Sequence, residues 1–262
     1  TNTALALKAP IASPSFTGNV GINTSSPETK LTIDSDISTT YSATGYAATL
    51  ANSMLYLNNT NGGSNTASLI NFRTGTGDGL VGFVAGSTNE CDFVVATDGG
   101  SNGIERLRVS NAGIVTKPYQ PSFLARMPSG AVAITSSAQA KFNFNSASWD
   151  TNNDFTGSNN RFTAPVAGKY FFQWLIQVEN VTTAPNWYYA YPTVNGVNVY
   201  GGANGMTAAD QVEPVSAYGA IKGTQTLNLN SGDYVELAYY WNVGNGNLKG
   251  GGESMWAGHL IG

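Results

Sequence analysis

From Gly168 the chain alternates. Tyr170, Phe172, Trp174, Ile176 and Val178 share one parity, and Phe171, Gln173, Leu175, Gln177 and Glu179 share the other. Successive side chains of a strand point to opposite faces, so the spacing predicts a long strand with one continuous apolar face. The second face is mixed, apolar at Phe171 and Leu175. Such a strand suits a sandwich whose outer side meets another subunit, and the alternation by itself fits a core strand of a monomeric sandwich equally. Shorter runs repeat the theme upstream: Ser68–Arg73, Leu80–Val84 and Asp92–Ala96, each ended by Gly, Asn or Asp. Asn195-Gly196 between Pro192–Val194 and Val197–Val199 predicts a two-residue hairpin of the primed type. No segment holds a helical period with caps. Ala47–Ala51 is the best helix candidate and is too short to stand alone. The pattern predicts an all-β chain.

Two prolines in Lys117-Pro118-Tyr119-Gln120-Pro121 favour an extended connection, and the domain boundary is expected there, between 1–118 and 119–262. Short strands leave many open edges, so residues 1–118 are expected to need other chains around them.

Composition narrows the function. Of 262 residues, 41% are apolar and 11% charged, and Gly numbers 31. Polar, uncharged turns between β-branched and aromatic runs agree with an all-β protein. A net charge of −4 argues against a nucleic-acid partner, which needs a basic patch to displace phosphate counterions. No apolar run approaches the ~20 residues of a membrane span, and no basic-apolar start resembles a signal peptide. The single cysteine, Cys91, excludes an internal disulfide and reads as a small buried apolar residue.

Candidate chemistry is sparse. A catalytic triad or histidine metal site would have to use His259, the only histidine, which falls in the last predicted strand and reads as structural. Asp154, Asp210, Glu213 and Asp233 fall in turns, as solvated acids do. A hydrolytic carboxylate pair depends on the fold, and the long repeat of a parallel β-helix is missing. Gly250-Gly251-Gly252 lacks the Gly-Lys-Ser/Thr of a phosphate loop. The Asn-x-Ser/Thr matches at Asn23, Asn58 and Asn180 are what chance supplies in a chain this rich in Asn and Thr. None of these candidates assembles a catalytic or cofactor constellation from the sequence.

The residues Phe144, Asp150, Phe155, Phe162, Gly168, Tyr170, Phe172 and Trp174 carry a more specific signal. Their spacing resembles the signature of the complement C1q-like head, a jelly roll grouped with tumour necrosis factor. Trp174 stands where that family usually has Phe or Tyr. Pro121–Ala125, Leu229–Leu237 and Ser254–Ile261 resemble the same family's first strand, tight turn with following strand, and last strand. The resemblance implies a jelly-roll sandwich over 119–262 that works as a ligand-binding homotrimer. It allows Ca²⁺ in the head, although no loop of convergent carboxylates supports a metal, and it calls for no other cofactor. The collagen stalk that usually precedes such heads is missing.

The first part resembles something else. Ala4–Gly18 is similar to a segment recurring in phage tail fibres. Asn19–Leu31 is similar to a segment of phage fibres and some bacterial surface proteins, with Asn23 where Gly is usual; Asn tolerates a left-handed backbone better than other non-glycine residues. Ile104–Ile114 resembles the end of such a module. These resemblances imply a fibre segment at 1–18 and a trimeric shaft module at 19–117, joined at its start to other virion tail proteins.

Consecutive antiparallel strands place their connections alternately at opposite ends. Glu179–Asn186, Tyr200–Pro214 and Asn242–Glu253 are long and share one end; Asn195-Gly196 and Asn230–Asp233 are tight and share the other. The resemblance puts the head's termini at the tight end, so the long loops form the free tip. That tip carries Trp187, Tyr188, Tyr200, Asp210, Gln211, Trp241, Asn242, Asn245, Asn247 and Lys249. Flat rings beside amides suit sugar recognition, while Trp187 and Trp241 fit equally well as caps on the core. Three tips on one fibre would multiply a weak contact. The expected function is attachment: an extracellular virion fibre binding a bacterial surface glycan or protein. The alternatives are a virion fibre without a receptor role and a secreted bacterial adhesin or lectin.

Overall fold

A computed structural model describes residues 18–36, 53–87, 90–100, 103–134, 137–183, 188–199, 215–242 and 244–262. The fibre-like opening up to Thr17, the helix candidate Ala47–Ala51, and Trp187, Tyr200, Asp210, Gln211 and Glu213 lie outside them. The described residues form strands and one short 3-10 turn. No helix among them is long and apolar enough to cross a membrane.

Contacts divide the chain into two compact units, 1–71 with 81–93, and 72–80 with 94–262. In the first unit, β1 (Val20–Ile22) and β2 (Leu31–Ile33) pair in parallel. Asn23 closes β1 with a left-handed backbone, φ 62°, and its side-chain amide donates to Asp34 O at 3.1 Å. The residue that replaces the expected glycine therefore adopts the glycine conformation. The strands β3 (Ala67–Thr74), β4 (Gly77–Ala85), β5 (Cys91–Asp98), β6 (Gly103–Val109) and β7 (Val115–Thr116) pair in sequence order, and the division between units passes through β3, β4 and β5. Cys91, expected to be buried, is exposed: it begins β5, three residues before that strand's one buried position, Val94.

The sandwich lies wholly in the second unit. Its strands are β8 (Ser122–Arg126), β9 (Ala131–Ala133), β10 (Gln139–Lys141), β11 (Ser146–Asp150), β12 (Phe155–Thr156), β13 (Arg161–Thr163) and β14 (Gly168–Val181). They continue as β15 (Tyr188–Val194), β16 (Val197–Asn198), β17 (Val215–Leu229), β18 (Tyr234–Trp241), β19 (Asn247–Lys249) and β20 (Met255–Leu260). One sheet, called the front here, runs β11-β8-β20-β14-β19-β9, with β17 on the other edge of β14; the back sheet runs β12-β13-β18-β15-β16, with β10 also on β18. Their pairings are antiparallel, and the chain crosses repeatedly between the two sheets, which makes the head a jelly-roll sandwich.

The predicted parity of β14 is the observed one. Tyr170, Phe172, Trp174, Ile176 and Val178 are buried, and the other parity is partly or fully exposed. The signature residues explain themselves physically. Phe144, Phe155, Phe162, Tyr170, Phe172 and Trp174 belong to one core cluster. Phe123 lies flat against Phe155 and Phe162, at 5.3 and 5.0 Å between centroids, and edge-on to Trp256 at 4.9 Å. Asp150 accepts the amides of Asp154 (3.0 Å) and Phe155 (2.9 Å), which shapes the turn that sends Phe155 inward. Gly168 is small because a Cβ there would lie 2.7 Å from Leu260 Cδ1 and 3.1 Å from Gly262 O. Asn195 and Gly196 both have positive φ, as a primed hairpin requires.

Three polar residues are buried in the described sandwich: Thr193, Glu236 and Ser254. Two of them sit where one strand edge changes partner. The edge of β14 passes from β20, whose pairing stops at Leu175, to β19, whose pairing starts at Gln177; Ser254 Oγ accepts Gln177 N at 3.0 Å and donates to Lys249 O. The edge of β18 passes from β13 at Glu236 to β10 at Ala238; Glu236 there binds Arg161 of β13 at 2.9 Å and Lys141 of β10 at 2.7 Å. A carboxylate only 1% exposed is costly unless paired, and this one is paired twice.

Candidate functional site at the loop end of the sandwich

The registers fix which end each connection occupies. Gly168 pairs with Leu229, and Val181 with Val215; Val194 pairs with Val235, and Tyr188 with Trp241. The connections after β14, before β17 and after β18 therefore share one end. The tight turns at Asn195-Gly196 and Ser231-Gly232 lie at the other, joined by Asn195 N donating to Tyr234 O and by Asn195 Nδ2 donating to Asp233 Oδ1. Leu260 N donates to Pro121 O and Lys169 N to Gly262 O, so the head begins and finishes at the tight end.

At the loop end, β14 closes with a bulge. Asn180 has φ 55°, the register slips between Glu179 and Val181, and Val181 turns back into the core. Asn245 then ties the loops together. Its Oδ1 accepts Thr182 N (3.1 Å), Thr182 Oγ1 (3.0 Å) and Thr183 N (2.9 Å), while its Nδ2 donates to Thr182 Oγ1 at 2.7 Å. The side chain braces the rim and stays exposed there. Ser137 Oγ donates to Asn242 O at 2.7 Å and braces the other side.

Trp241 and Tyr188 take the core-capping role. Trp241 is 0% exposed, because Val235, Leu237, Tyr239 and Trp241 form the inward parity of β18, and Tyr188 packs beside it at 5.2 Å. Neither ring is offered to solvent. Asn247 and Lys249 lie on β19, and the register brings them to two residues that sequence reasoning missed. Asn247 pairs with Glu179, and Glu179 with Tyr218; Lys249 pairs with Gln177. Lys249 Nζ stands 4.1 Å from the centre of the Tyr218 ring and 4.0 Å from Glu179 Oε2. Contact with Tyr218 raises the Lys249 pKa above its ordinary value, with smaller contributions from Glu253 and Glu179. Tyr218 keeps 54% of its surface exposed. A flat ring, a cation and a carboxylate thus meet at the loop end of the front sheet, the groups that orient a polar ligand.

The solved structures that the chain resembles include domains of the tumour-necrosis-factor and C1q type. A murine APRIL structure is 12% identical with a TM-score of 0.39, and matches 54% of this chain and all of that one. The globular domain of zebrafish complement 1qA is 18% identical with a TM-score of 0.38, over 55% of this chain and 98% of that one. Eiger TNF from S. frugiperda is 14% identical with a TM-score of 0.38, over 56% and 94%. No protein-family model matches the sequence, and no curated protein does.

The front face away from the loops holds Phe171, Gln173 and Leu175 on β14, with His259, Ala257 and Met255 as their partners on β20. His259 packs beside Phe171 at 5.6 Å. Its partner across the ladder, Ser122, bonds Thr151 through its hydroxyl at 2.7 Å, so the register does not assemble a Ser-His pair. Among the described residues, no three His, Cys, Asp or Glu side chains gather as a metal site would need.

Proposed function

We propose that this chain is the receptor-binding end of a phage tail fibre: a homotrimer whose shaft is residues 1–118 and whose head, 119–262, attaches the virion to a bacterial surface glycan. The observation that carries this reading is polarity. The head joins the rest of the chain at its tight-turn end and gathers its long loops, with Glu179, Tyr218 and Lys249, at the opposite end. The half-apolar outer face of β14 and β20 supports the trimer, because Phe171, Leu175 and Met255 on an outer sheet face are better buried against another copy than left in water. The fibre-like segments at Ala4–Gly18 and Asn19–Leu31 support the virion setting. Single contacts at an open tip are weak, and three tips on one fibre raise the effective affinity by avidity.

Binding of the labelled full-length chain to an array of bacterial surface polysaccharides tests the reading. Tyr218→Ala and Lys249→Ala are expected to lower binding at least about tenfold while leaving the melting temperature in place. A trimer that binds no glycan and no bacterial cell would point to a virion fibre without a receptor role. Release of reducing ends from a bound polysaccharide would make it an enzyme instead.

A further inference from the structure

The front sheet carries a dimple of about 310 Å³. Its floor is the backbone of Trp174 and Gly223, and Gln173, Leu175, Met255, Ala257, Lys222 and Thr224 stand around it. Gly223 is small because the Trp174 indole already fills its side-chain space: a Cβ there would lie 2.5 Å from the ring. The dimple is apolar on its β20 side, mixed along β14 with Leu175 beside Gln173, and polar along β17, and it has room for one aromatic side chain. At the edge of the same sheet stands a ring with no such seat. Trp149 on β11 is 54% exposed, and the bulge between Ala147 and Trp149 sets it on the outer parity, opposite Leu124.

The registers place knob and dimple at one height. Trp149 pairs with Leu124, Leu124 with Ala257, Ala257 with Gln173, and Gln173 with Thr224. That row runs straight across the sheet from the exposed ring to the rim of the dimple. With strands about 4.8 Å apart, β11 and β14 are about 14 Å from each other, too far for Trp149 to reach the dimple of its own chain. Rotation about an axis parallel to the strands preserves height, so a knob on one copy meets a dimple on the next only if both lie in the same row. Lys222 is the one charged residue lining the dimple, and the edge 146–154 carries Asp150 and Asp154, with Arg126 bonded to Ser148 beside the ring.

We propose that Trp149 of each copy seats in the dimple of the next, closing a head-to-tail ring of three copies. This rests on the trimer reading above and names the contact that makes it. A tryptophan in a fitted pocket is the usual centre of such an interface.

The test uses the full-length chain in sedimentation equilibrium. Trp149→Ala removes the knob, and Thr224→Trp fills the dimple from an exposed position. Each is expected to raise the concentration at which the trimer dissociates about 30-fold or more. In a Cys91→Ser background, Trp149→Cys with Thr224→Cys is expected to give a covalent trimer on mild oxidation, since the two positions are too far apart to bridge within one chain. If the unsubstituted chain is a trimer and either Trp149→Ala or Thr224→Trp assembles as tightly, the seating is wrong and the trimer reading survives. If the unsubstituted chain is a monomer, the trimer reading itself falls, and this contact with it.

Discussion

Phe83 on β4 and Phe123 on β8 are both strand residues with aromatic company. Phe83 meets Phe93 edge-on at 5.5 Å and keeps 51% of its surface exposed. Phe123 touches Phe155, Phe162 and Trp256 and is fully buried. The difference extends across the two regions. Before residue 119, Val94 is the only buried apolar side chain described, while Leu55, Tyr56, Leu57, Ile70 and Phe83 line or flank an open groove of about 350 Å³. In the head, two sheets face each other and supply both walls of a core. A sheet buries a face only against a second layer, so apolar strands become a stable domain in one region and leave open surface in the other. On the proposed reading, the missing layer in the shaft is other copies of the chain.

The comparison breaks most visibly by separating its halves. Residues 119–262 made alone are expected to melt cooperatively, and residues 1–118 made alone to show no cooperative transition by calorimetry. A sharp melt of monomeric 1–118 would end the contrast. Phe162→Ala should cost the head about 3–5 kcal/mol in urea unfolding, and Phe83→Ala less than about 1 kcal/mol, because only the first leaves a cavity. Equal losses would mean that the shaft has a core of its own.

Glu236→Ala should cost about 2–4 kcal/mol, since it strips Arg161 and Lys141 of their shared partner where β13 hands over to β10. Lys141→Ala, which leaves the Arg161 pair in place, should cost less. The smallest effect concerns the tight turns. The Asn195 side chain and the Asn230 amide hold the Asp233 pKa below its ordinary value. A lowered carboxylate contributes stability above its unfolded pKa and loses it as pH falls through the folded one. Asp233→Ala is therefore expected to lower the melting temperature slightly at pH 6, with the gap narrowing below about pH 3.8. A gap that does not change with pH would deny the turn its ionic component.

What the sequence disclosed was local. The alternation of β14 needs only period two, the Asn195-Gly196 hairpin needs only two residues of suitable backbone, and both stand as expected. Every hydrophobic signature residue from Phe144 to Trp174 is in the core. What it did not disclose depends on partners far along the chain. Glu179, Tyr218 and Lys249 meet because three strands, 30 to 70 residues apart in order of magnitude, share one register. Trp241 could be read as binding or as packing until the parity of β18 was known. The three bonds that Asn245 Oδ1 accepts come from a threonine pair across the loop, out of reach of a local pattern. Cys91 looked buried by residue type, and its place at the start of a thinly covered strand exposes it.

The mass of the intact chain in sedimentation equilibrium at micromolar concentration tests the central claim most directly. The account predicts three times the 27.4 kDa of one chain. A single-chain mass would leave the shaft without its missing layer and the front face of the head without a partner, and would contradict it.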